Sequence, residues 1–164
     1  LWRNTPLGGP ERPSGTDRLA LRRADGEWQR RAMLSGAENP PLRLADARAA
    51  GALFAPLARE TVEVLAFAYL DRHQQVLGMR HVRSAHRDRL DLPLREVAAD
   101  AIAFHAFAVV MAHNHPSGDP TPSRADRETT ERLARALDTL GVRLLDHLVI
   151  AARGVTSFRS LGLL

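Results

Sequence analysis

The sequence predicts an α+β (α/β) fold: a mixed β-sheet flanked by helices, in a single compact domain over residues 41–164 with an N-terminal extension over residues 1–40. Three observations carry this expectation. Two short, continuous apolar runs, at residues 64–70 and 107–112, suit strands buried on both faces. Apolar residues at helical spacing mark residues 93–106 and the stretch from Arg124 onward. Strand-like and helix-like segments therefore alternate around one sheet, and 164 residues suffice for one domain with a proper core.

In chain order, residues 1–15 carry Pro6, Gly8, Gly9, Pro10 and Pro13 and read as loop or disordered. Residues 17–34 are short of large apolar side chains; Leu19, Leu21, Trp28, Met33 and Leu34 fit one or two short helices. Ser35 to Pro41 is a breaker cluster and the linker candidate. Residues 44–59 read as a helix with Leu53, Phe54 and Leu57 on one side. The strand at 64–70 is followed by a hairpin connection at 71–75 and a return strand at 76–82. Residues 84–91 are polar and Arg-rich and carry no clear pattern.

The helix at 93–106 is expected to bury Leu94, Val97, Ala98, Ala101, Ile102 and His105. The helix from Arg124 is expected to bury Leu133, Leu137 and Leu140, with Ser123 as its N-cap and Gly141 just past its end. One or two last strands fall in residues 142–145 and 147–151. There is no internal repeat and no low-complexity tract.

Composition narrows the class. There is no cysteine, which excludes disulfides and thiolate metal sites. No apolar segment is long enough for a membrane span, and no signal-peptide pattern opens the chain, so a cytoplasmic protein is expected. The chain opens on Leu1 rather than Met, as a fragment or a chain lacking an upstream segment does. The formal charge is +4 and all 23 basic residues are Arg. Arg suits phosphate and carboxylate contacts, but codon bias in a GC-rich genome explains its excess more simply.

The chemistry concentrates in residues 113–126, between a strand and a helix. His113 and His115, two apart at a strand end, point to one face and can reach one metal ion. Asp126 can supply a third ligand, with Pro116, Gly118, Pro120 and Pro122 making a stiff loop back over the site. Two His, one carboxylate and an open position for water describe a catalytic Zn²⁺ site rather than a closed structural one. Ser123 and Asp126 also fit a helix capping box with Asp in place of Glu, and the two roles do not exclude each other. Asn114 points away from the metal if the strand persists, and can fix the loop.

This run resembles the JAMM motif of the JAB1/MPN metalloprotease fold: His-x-His-Pro, a spacer, then Ser-x-x-Asp. It is more closely similar to the RadC signature His-Asn-His-Pro-Ser-Gly-Asp-Pro-x-Pro-Ser-x-x-Asp. The resemblance covers about residues 42–164; Leu145 to Ile150 resembles that family's later Asp-His strand and Glu63 to Asp71 its first core strand. Two departures stand at the rim: Ser84, Ala85 and His86 where the family has Ser-Gly-Thr, and Leu94 where it has Pro before Arg-Glu. The N-terminal helix-hairpin-helix domain of full-length members has no Gly-rich hairpin counterpart here.

The resemblance implies a zinc-dependent metallopeptidase or isopeptidase acting on a peptide or protein substrate. A metal-activated water attacks an amide, and Ser123 is implied as the donor facing the developing oxyanion. A carboxylate near that water can act as the general acid/base; Glu60, Glu63 and Glu96 are the candidates. Glu63 is the choice, because it opens an apolar strand and sits where the family has its upstream Glu; as a bland alternative it is a strand-end charge paired with an Arg. His147 either faces the site or is a satisfied core residue. His105 is expected to pack, and His73, His81 and His86 to be exposed. The alternative function, from the family's historical label, is a DNA-repair-associated nucleic-acid-binding protein without peptidase activity. Arg80, Arg83, Arg87, Arg89 and Arg95 would form its basic rim and bind nucleic acid weakly.

Overall fold

A computed structural model of the chain describes residues 20–22, 42–83 and 92–164. Within them, strands β1 (Ala20–Arg22), β2 (Val64–Leu70), β3 (Val76–Arg83), β4 (Ala108–Asn114), β5 (Arg143–Ala151) and β6 (Gly154–Ser157) form one mixed sheet. Its spatial order is β1-β3-β2-β4-β5-β6, with β1–β3 and β4–β5 parallel and the other pairs antiparallel. Helices α1 (Ala47–Phe54), α2 (Leu94–Ala103) and α3 (Arg124–Asp138) flank it. No helix among the described residues is long and apolar enough to cross a membrane.

The central strands explain the layers. Every residue of β2 and β4 is buried, and the two-residue alternation of a strand deals their side chains to two cores. Val64, Ala66, Ala68, Leu70, Val110 and Ala112 pack with Phe54 of α1 and Leu57 of the 3-10 turn (Ala55–Arg59) that extends it. Leu65, Phe67, Tyr69, Val109 and Met111 pack on the other face with Val97 and Ala101 of α2 and Leu133 and Leu137 of α3. The β2–β3 hairpin is closed by Asp71, whose carboxylate accepts from the backbone N–H of His73 and Gln75. Between parallel β4 and β5, the chain crosses over through α3. The end of β4 and the start of α3 thus meet at the carboxyl end of a parallel strand pair, where α/β folds place their ligands.

Several expectations need correction. Residues 20–22, expected within short helices, form β1, which pairs its backbone with the sheet edge at β3; the rest of residues 17–34, the 35–41 linker candidate and residues 84–91 lie outside the described residues. The helix expected at 44–59 begins only at Ala47, capped by Asp46, and tightens to 3-10 geometry from Ala55, with Pro56 in that turn's first positions. Ile102 is 60 % exposed and His105 is exposed, not packed. The reason is that α2 stops at Ala103 and the chain reverses through a left-handed His105 (φ 49°), with Ala106 N–H bonded back to Ala101. Leu140 lies beyond the end of α3 and is 41 % exposed. Residues 143–151 are one strand, and β6 was not anticipated.

Candidate metal centre

The alternation that builds the two cores also separates the motif residues. On β4, His113 continues the face of Val109 and Met111, toward α3, while Asn114 continues the face of Val110 and Ala112. Asn114 is buried and holds the segment entering β2. Its Oδ1 accepts from Val64 N–H (2.7 Å) and its Nδ2 donates to the carbonyls of Glu60 (3.2 Å) and Val62 (3.0 Å). His115, just past β4, stays beside β5 because its N–H donates to Ile150 O. The His115 ring presents Nδ1 to the Asp119 carbonyl at 2.8 Å. A carbonyl only accepts, so Nδ1 carries the proton and the lone pair of the neutral ring is on Nε2.

The loop that follows is set by its own turns. Gly118 takes a positive φ of 83°, donates to His115 O, and accepts through its carbonyl from Arg153 N–H of the β5–β6 turn. The Asp119 carboxylate accepts from the Thr121 N–H and hydroxyl. α3 then opens with a complete capping box: Ser123 Oγ accepts from Asp126 N–H (3.1 Å), and Ser123 N–H donates to Asp126 Oδ2 (2.7 Å). The box turns the Asp126 carboxylate toward the histidines, so the cap and the cluster use the same side chain.

Asp126 Oδ1 lies 3.1 Å from His113 Nε2, Asp126 Oδ2 lies 3.4 Å from His115 Nε2, and the two Nε2 atoms are 2.9 Å apart. Three ligand atoms, one from each residue, fall within 4.8 Å of one another, and this set is able to hold a divalent metal. The spacing fits one: ligands about 2.0–2.1 Å from a tetrahedral Zn²⁺ stand about 3.3 Å from each other. Burial raises the Asp126 carboxyl pKa, but the His113 and His115 imidazoles facing it, together with the cap at Ser123, outweigh that effect and hold the group well below the usual carboxylate range. The His115 pKa is raised, chiefly because the Asp126 carboxylate stands ready to accept from Nε2 once it is protonated, and against the effect of burial.

The remaining expected residues divide. Ser123 is exposed at the loop rim, its oxygen engaged by the cap. Glu63 is half-buried one residue before β2; two residues on, Leu65 is paired with His113, and the Glu63 charge contributes to raising the His115 pKa. Glu60 is taken up by Arg83 at 2.8 Å, and Glu96 is exposed in the first turn of α2. The expected basic rim does not hold as drawn. Arg80 is buried in an ion pair with Asp100, and Arg83 pairs with Glu60, while Arg87 and Arg89 lie outside the described residues.

His73 is exposed as expected, whereas His81 is half-buried; His86 lies outside the described residues. His147 is fully buried, stacked on Phe158, and in hydrogen-bond contact with both His113 and Thr130. Burial pushes its pKa well below the ordinary value. Thr130 was missed at the sequence level. Its signal was a hydroxyl one helical turn after Asp126 and three residues before the buried Leu133.

A family model described as "RadC-like JAB domain" matches residues 44–163. The chain belongs to the RadC family. Its fold is consistent with a JAB/MPN-like domain, and His113, His115 and Asp126 form the cluster resembling a JAMM motif. The chain is 44% identical over 128 residues to UPF0758 protein STH371 of Symbiobacterium thermophilum, which covers 76% of this chain and 55% of that protein. It is 41% identical over 110 residues to UPF0758 protein YkfG of Escherichia coli (67% of this chain, 68% of that protein). It is 44% identical over 106 residues to a UPF0758 protein of Thermotoga maritima (65% and 46%). This RadC domain thus spans about half the length of the first and third of these relatives.

Proposed function

We propose that this RadC domain holds Zn²⁺ through His113, His115 and Asp126 and hydrolyses a peptide-like amide in a peptide or protein substrate. The observation that carries the reading is the convergence of three lone-pair donors at 2.9–3.4 Å, a set of two His and one carboxylate that leaves a fourth position open. A divalent ion there supplies Lewis acidity and an activated water at neutral pH. Glu63 takes the proton from the attacking water and delivers it to the leaving nitrogen. The Ser123 hydroxyl, with its oxygen accepting from the cap, donates its proton to the developing oxyanion.

A second reading, a nucleic-acid-associated RadC protein without peptidase activity, asks less of the site. Family membership and a metal-binding cluster satisfy it, and neither Glu63 nor Ser123 then needs a catalytic role.

The two readings part in one set of measurements. Zinc-loaded protein is incubated with a diverse peptide mixture and the products are read by mass spectrometry. Hydrolysis that falls about 10²–10⁴-fold in Glu63→Gln, with zinc content retained, supports the hydrolase. No cleavage, together with binding of labelled DNA that weakens steeply between low salt and about 0.2 M, supports the second reading.

A further inference from the structure

Behind the cluster, three side chains form a directed hydrogen-bond chain that the proposed hydrolysis does not use. His113 Nδ1, across the ring from the ligand atom, lies 2.8 Å from His147 Nε2. His147 Nδ1 lies 2.6 Å from Thr130 Oγ1, and Thr130 Oγ1 lies 2.6 Å from the backbone carbonyl of Asp126. All of these groups are buried.

The proton positions follow from what each group can do. The Asp126 carbonyl only accepts, so the Thr130 hydroxyl proton points to it. Thr130 then offers His147 only a lone pair, and His147 Nδ1 must be the donor. His147 is 0% exposed, stacks on Phe158 at 4.5 Å, and has an imidazole nitrogen and a hydroxyl, not a carboxylate, at its two ring nitrogens. A second proton would bury a cation without a hydrogen-bonded counter-charge, which is costly. His147 Nε2 is therefore bare and accepts from His113 Nδ1–H.

We propose that His147 is a positioning residue: backed by Thr130, it holds His113 in the Nδ1–H form with the Nε2 lone pair turned toward His115 and Asp126, ready for a metal. The zinc-presenting part of this role rests on the metal reading above; the tautomer does not. Metal-ligating histidines generally donate their second N–H to a carboxylate, a carbonyl or a water. A neutral imidazole acceptor orients the ring equally while adding no negative charge, so Asp126 remains the only anion among the ligand atoms. The chain also returns to Asp126 through Thr130, tying two of the three ligands into one path.

Two measurements on the full chain test this. Long-range ¹H–¹⁵N NMR locates the imidazole protons without any metal. Protons on Nδ1 of both His113 and His147 are expected, and a bare Nδ1 on His113 overturns the proposal. Zinc affinity, from competition with a chromophoric chelator, is then compared between the parent and His147 variants. His147→Leu removes the acceptor and should weaken binding about 10–100-fold. His147→Gln offers an amide oxygen to His113 and should restore most of the affinity.

Unchanged affinity in a folded Leu variant overturns the positioning role. If that variant does not fold, Thr130→Val keeps the shape and removes the hydroxyl; a loss of zinc affinity supports the chain and unchanged affinity contradicts it. A parent protein that takes up no zinc overturns the metal reading and the zinc-presenting role together, while the NMR result separately decides the tautomer.

Discussion

Asn114 stands between two metal-ligand candidates and faces the other side of the sheet. Its amide binds the chain where β2 begins, satisfying Val64 N–H and the carbonyls of Glu60 and Val62. Those bonds bracket Glu63, so Asn114 fixes the segment that carries the proposed acid/base. Asn114→Ala leaves buried backbone groups unpaired and should cost about 1–3 kcal/mol in urea unfolding. If Glu63 works from this segment, hydrolysis falls further than that stability loss accounts for, while zinc affinity falls little. At this scale the cluster of His113, His115 and Asp126 was legible, because the His113–His115 spacing and the Ser123–Asp126 cap are local. The contacts of His147 and Thr130 were not. They depend on β5 lying in register beside β4, with Met111 opposite His147, and on α3 crossing between those strands, both long-range facts. The position of Glu63 was legible only through the continuous run that follows it.

Among the elements, α3 has two duties: it closes the β4–β5 crossover, and its first turn carries Asp126. Its capping box therefore contributes to stability and to the site at once. Ser123→Ala removes the acceptor for Asp126 N–H and should destabilise the protein by about 1 kcal/mol in chemical denaturation, with Ser123→Thr close to the parent. A Ser123→Ala variant as stable as the parent would show that the cap does not stabilise the start of α3. β2 was legible to the residue, since burial on both faces demands an unbroken apolar run. Where the decision was tertiary, local pattern misled. Ile102 and His105 continue the period of α2 on paper, but the helix has already ended and the chain has reversed at His105. β6, at four residues with Gly154 at its start, is too short for a periodic signal and exists by pairing with β5.

For the molecule as a whole, one buried polar group joins the layers. Asp100 of α2 accepts from Tyr69 of β2 and is paired with Arg80 of β3. Burial, with the neighbouring Asp100 charge, pushes the Tyr69 hydroxyl far above its ordinary pKa, so it stays a donor at any working pH. Asp100→Ala removes the carboxylate from a buried guanidinium and should lower stability by on the order of 3 kcal/mol, read from the denaturant midpoint. Arg80 was expected on a basic rim; the partner that buries it is 20 residues away and belongs to a different element, which sequence pattern does not reveal.

The central claim is that His113, His115 and Asp126 make a metal centre on a fold that stands without the metal. Its most direct test is elemental analysis of the full chain, prepared without chelator and after zinc titration, beside His115→Ala. One zinc per chain in the parent is predicted, with strongly reduced zinc and unchanged far-ultraviolet circular dichroism in the variant. No zinc in the parent before or after titration would contradict the account.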